Sequence, residues 1–283
     1  MNKTERALHG LQNPHFLTAS DGATIAYYVD DFSDPWDPGP PLYLMHSAMG
    51  HSGRFHGWMP GLARHFRVVR MDLRGHGRTP VPDPALPFTL ARCVADVTDL
   101  MDHLGDKSAH MVANSAGGYV AQRMAIDHPE RTTSLAIVGS TPGLSPDAAK
   151  WLPRIAAEGL RPFLADTIHM RFHLESTPKE QVEWFLDQTE QNDTPWVARF
   201  IGYMATQEWS ADLPRIRCPS LVILPGEETV GGAHSYDAFR DLIPDVEMHS
   251  YAGMPHNIAD MMPERCVSDI LAFLSRRFGR PAP

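Results

Sequence analysis

The chain has 283 residues, of which 43% are hydrophobic, with 21 Gly and 25 Pro; this is enough to bury a full core and unlike disordered or collagen-like chains. Its 25 Lys and Arg against 34 Asp and Glu leave a net charge of -9, so its own field disfavours nucleic acid as a partner. No stretch approaches the roughly 18 apolar residues of a spanning helix, and Met1 to Arg6 lacks an apolar targeting core. With Cys93, Cys218 and Cys266 widely spaced and no Cys-x-x-Cys pair, the sequence reads as a cytoplasmic protein, off the membrane, without a disulfide framework.

In chain order, Ala23 to Val29 has strand character, and the four-proline loop Asp30 to Pro41 follows it. Leu42 to Met45 and Arg67 to Met71 are short apolar strands. From Thr89 to Leu104, apolar residues recur at helical spacing (Leu90, Cys93, Val94, Val97, Leu100, Met101, Leu104), and Gly105 supplies a C-terminal cap. Ala109 to Ala113 is a strand running into Asn114-Ser115-Ala116-Gly117-Gly118 and then a helix through Ile126. Leu135 to Val138, Leu221 to Leu224 and Val246 to Tyr251 complete the strands, with late helices at Ala233 to Leu242 and Glu264 to Phe278. This alternation predicts a mostly parallel sheet flanked by helices. Residues 141–213 interrupt it with short, proline-punctuated helices and four of the six tryptophans. The expected organisation is a core of residues 1–140 and 214–283 and an inserted helical cap of residues 141–213.

The informative motif is Ala113-Asn114-Ser115-Ala116-Gly117-Gly118. Small residues around the Ser suit a sharp strand-to-helix turn, which exposes the Ser oxygen at a helix N-terminus where negative charge is favoured. A glycine-rich turn with a capping Ser would show the same residues; the strand before and the helix after weigh against that reading. Three further segments follow strands: His46-Ser47-Ala48-Met49-Gly50, whose backbone N–H groups could face an oxyanion; the polar turn Asp72-Leu73-Arg74-Gly75-His76-Gly77-Arg78; and Gly253-Met254-Pro255-His256-Asn257, which puts His256 at the C-terminal edge of the sheet, where open α/β sheets bind ligands.

Together these segments resemble the α/β-hydrolase superfamily over nearly the whole chain, from about Leu17 to Phe278. The stretch Phe66 to Leu144, with Arg-Gly-His-Gly-Arg and Pro129-Glu130-Arg131, is most similar to the 3-oxoadipate enol-lactonase and esterase branch. Asn114 before the Ser is similar to the elbow of meta-cleavage carbon-carbon hydrolases. The resemblance implies Ser115 as nucleophile, His256 as base, and the backbone N–H groups of Ala116 and Ala48 as the oxyanion hole. Asp72, Arg74 and His76 would fix their own turn. The chain departs from the family at His46-Ser47, where His-Gly is usual, and after Leu224, where Gly226-Glu227-Glu228-Thr229 puts Thr in the place of the usual Asp. The other position used for the acid, Gly139-Ser140-Thr141, holds no carboxylate either. Glu228 is therefore the first candidate for the third member of the triad, Glu227 the second, and Asp260 a weaker third; the alternative is that both glutamates are solvated loop charges and a Ser-His dyad works with water or a neutral partner.

No glycine pattern for a nucleotide is present, and His169 and His173, four apart, lack a third ligand or the Glu of His-Glu-x-x-His. No cofactor and no metal are expected. The cap aromatics Trp151, Trp184, Trp196, Trp209, Phe163, Phe172 and Phe185 either line an acyl pocket or form the cap's own core. The sequence reading is thus a serine hydrolase of a small or medium ester or lactone, a monomer or homodimer with a small-molecule substrate. The alternatives are carbon-carbon bond hydrolysis of a vinylogous diketone, and a non-catalytic ligand-binding protein, the latter motivated by the missing Asp.

Overall fold

The computed structural model describes residues 13–279; the Met1 to Arg6 segment lies outside them. The strands are β1 (His15–Thr18), β2 (Thr24–Asp30), β3 (Pro41–Met45), β4 (Arg67–Met71), β5 (Ala109–Asn114), β6 (Thr132–Val138), β7 (Ser220–Pro225) and β8 (Val246–Tyr251). They form one sheet in the order β1-β2-β4-β3-β5-β6-β7-β8. From β4 to β8 every pairing is parallel, while β1–β2 and β2–β4 are antiparallel. The central parallel strands are largely apolar because helices cover both faces; all six residues of β5 are buried.

The longer helices are α1 (Leu90–Leu104), α2 (Gly117–Asp127), α3 (Leu152–Glu158), α4 (Leu160–Asp166), α5 (Lys179–Glu190), α6 (Thr194–Met204), α7 (Asp237–Leu242) and α8 (Pro263–Phe278). The capping signals work as their chemistry requires. Thr89 accepts a hydrogen bond from the N–H of Arg92 at the start of α1, and Gly105 ends it in the left-handed region at φ 76°. The sheet divides two apolar clusters, one beneath α1 and α2, the other beneath α8 and the turn containing Phe55 and Trp58. No helix of the described residues is long and apolar enough to cross a membrane.

The mostly parallel sheet flanked by helices is the architecture anticipated above, with three local differences. β1 was not foreseen: only Leu17 of its four residues is buried, so its existence depends on pairing with β2 across the Ser20-Asp21-Gly22 turn. Ala233 to Leu242 is not one helix but a 3-10 turn over Ala233–Tyr236 followed by α7. The last helix starts at Pro263, and a single turn, Ile258–Met261, precedes it.

Between β6 and β7 the chain forms helices α3 to α6 and 3-10 turns. Part of this insertion packs on itself, with Ile155, Phe163, Phe172, Phe185 and Ile201 in one cluster that also takes in Met49. The rest is anchored to the turn after β4 and to α2. Trp196 lies so close over Gly75 that a Cβ there would overlap its indole. Phe200 meets His76 edge-on at 5.3 Å, and the Trp209 Nε1–H donates to Gln122 Oε1 at 2.9 Å.

Candidate active site

The strand order reverses between β3 and β5, which lie side by side although β4 separates them in sequence. The loops leaving two such strands diverge and open a crevice at their C-terminal ends. Ser115 sits in that crevice, between β5 and α2, at φ 49°, a left-handed conformation that costs a non-glycine residue on the order of 1 kcal/mol or more. Its N–H is held by the Val138 carbonyl at 2.9 Å. The following glycines have no positive φ; they are needed for space. A Cβ on Gly117 would overlap the carbonyl oxygens of Met45 and His46, and one on Gly118 would overlap Ser140. Gly117 therefore lets the start of α2 lie against the end of β3, bringing the Ala116 and Ala48 backbones to one cavity that both residues line. The Ala116 N–H precedes the first hydrogen-bonded turn of α2, where helix donors are unsatisfied.

Ser115 Oγ is 3.2 Å from His256 Nε2. On the other side of the ring, His256 Nδ1 is 2.8 Å from Glu228 Oε2 and 3.1 Å from Oε1. Glu228 is buried, and its oxygens also accept hydrogen bonds from the N–H groups of Val230 (2.7 Å) and Gly231 (2.9 Å) and from Tyr236 OH (3.2 Å). Burial alone would raise its pKa; the imidazolium charge, the hydrogen bond to His256 and the two N–H donors outweigh it and hold the carboxyl at about 2. Glu227 and Thr229, on either side, are exposed. Asp260 lies with Arg54 instead, which donates through Nε at 3.0 Å and also through Nη2.

The loop after β3 carries its left-handed residue not at Ser47 but at Met49, φ 58°. Asn192 of the insertion ties that residue down, donating to its carbonyl at 3.1 Å. The Ser47 hydroxyl accepts from Arg54 Nη1. His46 is fully buried, with Nε2 accepting from the Leu73 N–H at 2.9 Å; it joins the loop to the next turn and does not line the cavity. Asp72 accepts from the N–H groups of Ser52 and Arg78, both at 2.8 Å, and Arg74 pairs with Asp96, so these residues fix their turn. The Asn114 side chain donates to Val138 C=O at 3.1 Å, a tie between β5 and β6. His169 and His173 are exposed, and His169 sits in a 3-10 turn, so they do not share an α-helix face.

The cavity beside Ser115 and His256 has a volume of about 70 Å³. Of the aromatics between β6 and β7, Trp151 and Phe185 line it. Trp184 lines an outer groove of about 420 Å³ with His56, and Arg54 borders both spaces. Trp196, Trp209, Phe163 and Phe172 are core. The sequence reading missed Phe200, Ile201 and Met204, the apolar wall contributed by α6, and the polar pair Arg171 and Asn257. The amphipathic spacing of α6 could have flagged the first group.

The sequence profile described as alpha/beta hydrolase fold matches residues 40–260. Among curated proteins, the putative carbamate hydrolase RutD of Caulobacter vibrioides (strain NA1000 / CB15N) is 38% identical over 103 residues, but this match spans only 35% of this chain and 37% of that protein. A hydrolase from Pseudomonas aeruginosa PA01 of known structure is similar over 93% of this chain and 98% of its own, with 31% identity and a TM-score of 0.83. The enol-lactonase from Burkholderia xenovorans LB400 has the same fold, with a TM-score of 0.82 at 20% identity over 92% of this chain and all of that one.

Proposed function

The chain belongs to the α/β-hydrolase fold family, and on that premise we propose that it is a serine hydrolase of small or medium carboxylic esters or lactones, working through an acyl-enzyme on Ser115. The observation that carries this reading is the continuous line of contacts from Ser115 Oγ through His256 to Glu228. In it, Ser115 Oγ attacks the carbonyl carbon while His256 Nε2 takes the hydroxyl proton. Glu228 fixes the ring so that Nδ1 carries the other proton and stabilises the imidazolium. The N–H groups of Ala116 and Ala48 receive the tetrahedral oxyanion. As the carbon–oxygen bond to the leaving group breaks, His256 returns the proton to that oxygen. Water, deprotonated by His256, then attacks the acyl carbon, and as the bond from that carbon to Ser115 Oγ breaks, His256 returns the proton to Oγ, freeing Ser115 and the acid.

Carbon-carbon hydrolysis has as its motive Asn114 before Ser115 and the layout of the segment between β6 and β7; the Asn114 side chain donates to the Val138 carbonyl. The non-catalytic reading had the missing Asp as its motive; Glu228 supplies a carboxylate against Nδ1 from one residue earlier. The test is turnover of 4-nitrophenyl acetate and butyrate. Wild-type protein should release nitrophenol, and Ser115→Ala should fall to the background rate. Equal activity in the two proteins would remove Ser115 from the reaction.

A further inference from the structure

The two oxygens of the Glu228 carboxylate are held in different ways. Oε1 accepts from the N–H groups of Val230 at 2.7 Å and Gly231 at 2.9 Å. Both donors belong to the backbone of its own loop. Oε2 is the oxygen nearer the imidazole, 2.8 Å from His256 Nδ1 against 3.1 Å for Oε1. Its one other hydrogen bond among the described residues comes from Tyr236 OH, at 3.2 Å. The Glu228 side chain is fully shielded from solvent, so bulk water cannot stand in for a missing donor.

The chain after β7 places Tyr236 for this contact. It closes the 3-10 turn Ala233–Tyr236, eight residues beyond Glu228 and directly before α7. Its ring is buried in the apolar cluster beneath α1 and α2, with the Phe239 ring at a centroid distance of 6.2 Å. A ring packed in this way has little freedom to swing, and its hydroxyl is aimed at one place. Burial and the neighbouring Glu228 charge push the phenol well above its ordinary value of 10, so it keeps its proton at neutral pH and donates. The other titratable and charged groups that feel the Glu228 charge, His256 apart, are turned elsewhere. Tyr119 is engaged with Thr141, and Arg171 Nη1 donates to the carbonyl and hydroxyl oxygens of Thr167 at 3.1 and 3.0 Å.

We propose that Tyr236 is a positioning residue of the triad, its hydroxyl fixing Glu228 Oε2 against His256 Nδ1. This rests on the hydrolase reading and assigns a further residue to it. The last torsion of a glutamate, about Cγ–Cδ, joins an sp³ to an sp² atom and has only a broad preference of its own. The backbone donors hold Oε1, and the turning of Oε2 past the ring is stopped from outside. Tyr236 supplies that stop, which a carboxylate standing one residue early on a longer side chain requires.

The test is a double-mutant cycle on 4-nitrophenyl butyrate hydrolysis. Tyr236→Phe keeps the ring and removes only the hydroxyl. It should lower kcat ten- to hundredfold with KM within twofold of wild type. Added to Glu228→Gln, the same substitution should cost less than a further twofold, because the carboxylate through which it acts is already gone. Tyr43→Phe is the control for loosening of the core; it removes another buried hydroxyl, which donates to Asp106 at 2.7 Å, and should keep kcat within twofold. Unchanged kcat in Tyr236→Phe, an equal loss with and without Glu228→Gln, or a similar loss in Tyr43→Phe would overturn the positioning role. In each of these cases wild type still outpaces Ser115→Ala, and the hydrolase reading stands. Wild type no faster than Ser115→Ala would overturn that reading and this proposal with it.

Discussion

Glu228 and His256, 28 positions apart in sequence, meet with Oε2 2.8 Å from Nδ1, and the carboxylate is held by its own loop before it reaches the ring. Its hydrogen bonds from Val230 and Gly231 N–H mean that a side chain one residue early and one methylene longer can still present an oxygen to the imidazole. Glu228→Gln should therefore lower kcat/KM on a 4-nitrophenyl ester by about 10³–10⁴ with little change in KM, since a neutral amide leaves the tautomer and the imidazolium unsupported. Glu227→Gln should stay within twofold of wild type. Similar losses in the two variants would contradict the assignment.

Gly117 tests the elbow by a different route. A Cβ there would overlap two carbonyl oxygens at the end of β3, so the start of α2 would have to move away from the loop that carries Ala48. Gly117→Ala should reduce kcat at least a hundredfold, in line with loss of one oxyanion donor, while circular dichroism shows the sheet and helices retained. Full activity in this variant would remove the close approach from the account.

Arg54 and Asp260 form a pair with side chains 7% and 5% exposed. Replacing Arg54 with Met leaves a buried carboxylate without its cation, and the folded state should lose about 3–5 kcal/mol, measured by urea unfolding. Arg54→Met combined with Asp260→Asn should recover part of that loss. Additive losses would mean that the two residues do not act as a pair.

Two buried histidines set an acid limit on stability. Burial holds His76 down to about 4 and His46 well below its ordinary value of 6.5, while each binds a proton readily once unfolded. The unfolded chain thus binds more protons below the unfolded value. Stability should be complete above about pH 6.5 and should fall as the pH drops from there towards 4, by on the order of 3 kcal/mol for His76. Urea midpoints between pH 7 and 4 should show the slope, and His76→Gln should flatten it; an unchanged slope would contradict burial of a neutral ring.

Much of this architecture can be read from sequence where the signal is local. β3 and β7 are nearly continuous apolar runs because both faces are covered, and Ser115 announces itself through the small residues its turn demands. β1 fails that test, since a four-residue segment with one inward side chain exists only through its partner. The preference for Glu228 over Glu227 depended on which of two adjacent side chains turns inward, a choice made by the loop's fold. Arg171 gave no signal at all. Glu175, four residues on, is the partner that helical spacing would offer. The chain there follows a 3-10 turn at Ile168–Met170 and is not a continuing helix, and the pair does not form among the described residues.

An activated Ser115 should react covalently with an electrophilic phosphorus probe. Wild type and Ser115→Ala are incubated with a fluorophosphonate at pH 7.5, and the intact mass of each is recorded. Wild type should carry one phosphonyl adduct per chain, localised to the peptide containing Ser115, and Ser115→Ala none. Folded wild-type protein that takes up no label, or Ser115→Ala labelled as fully as wild type, would contradict an activated Ser115.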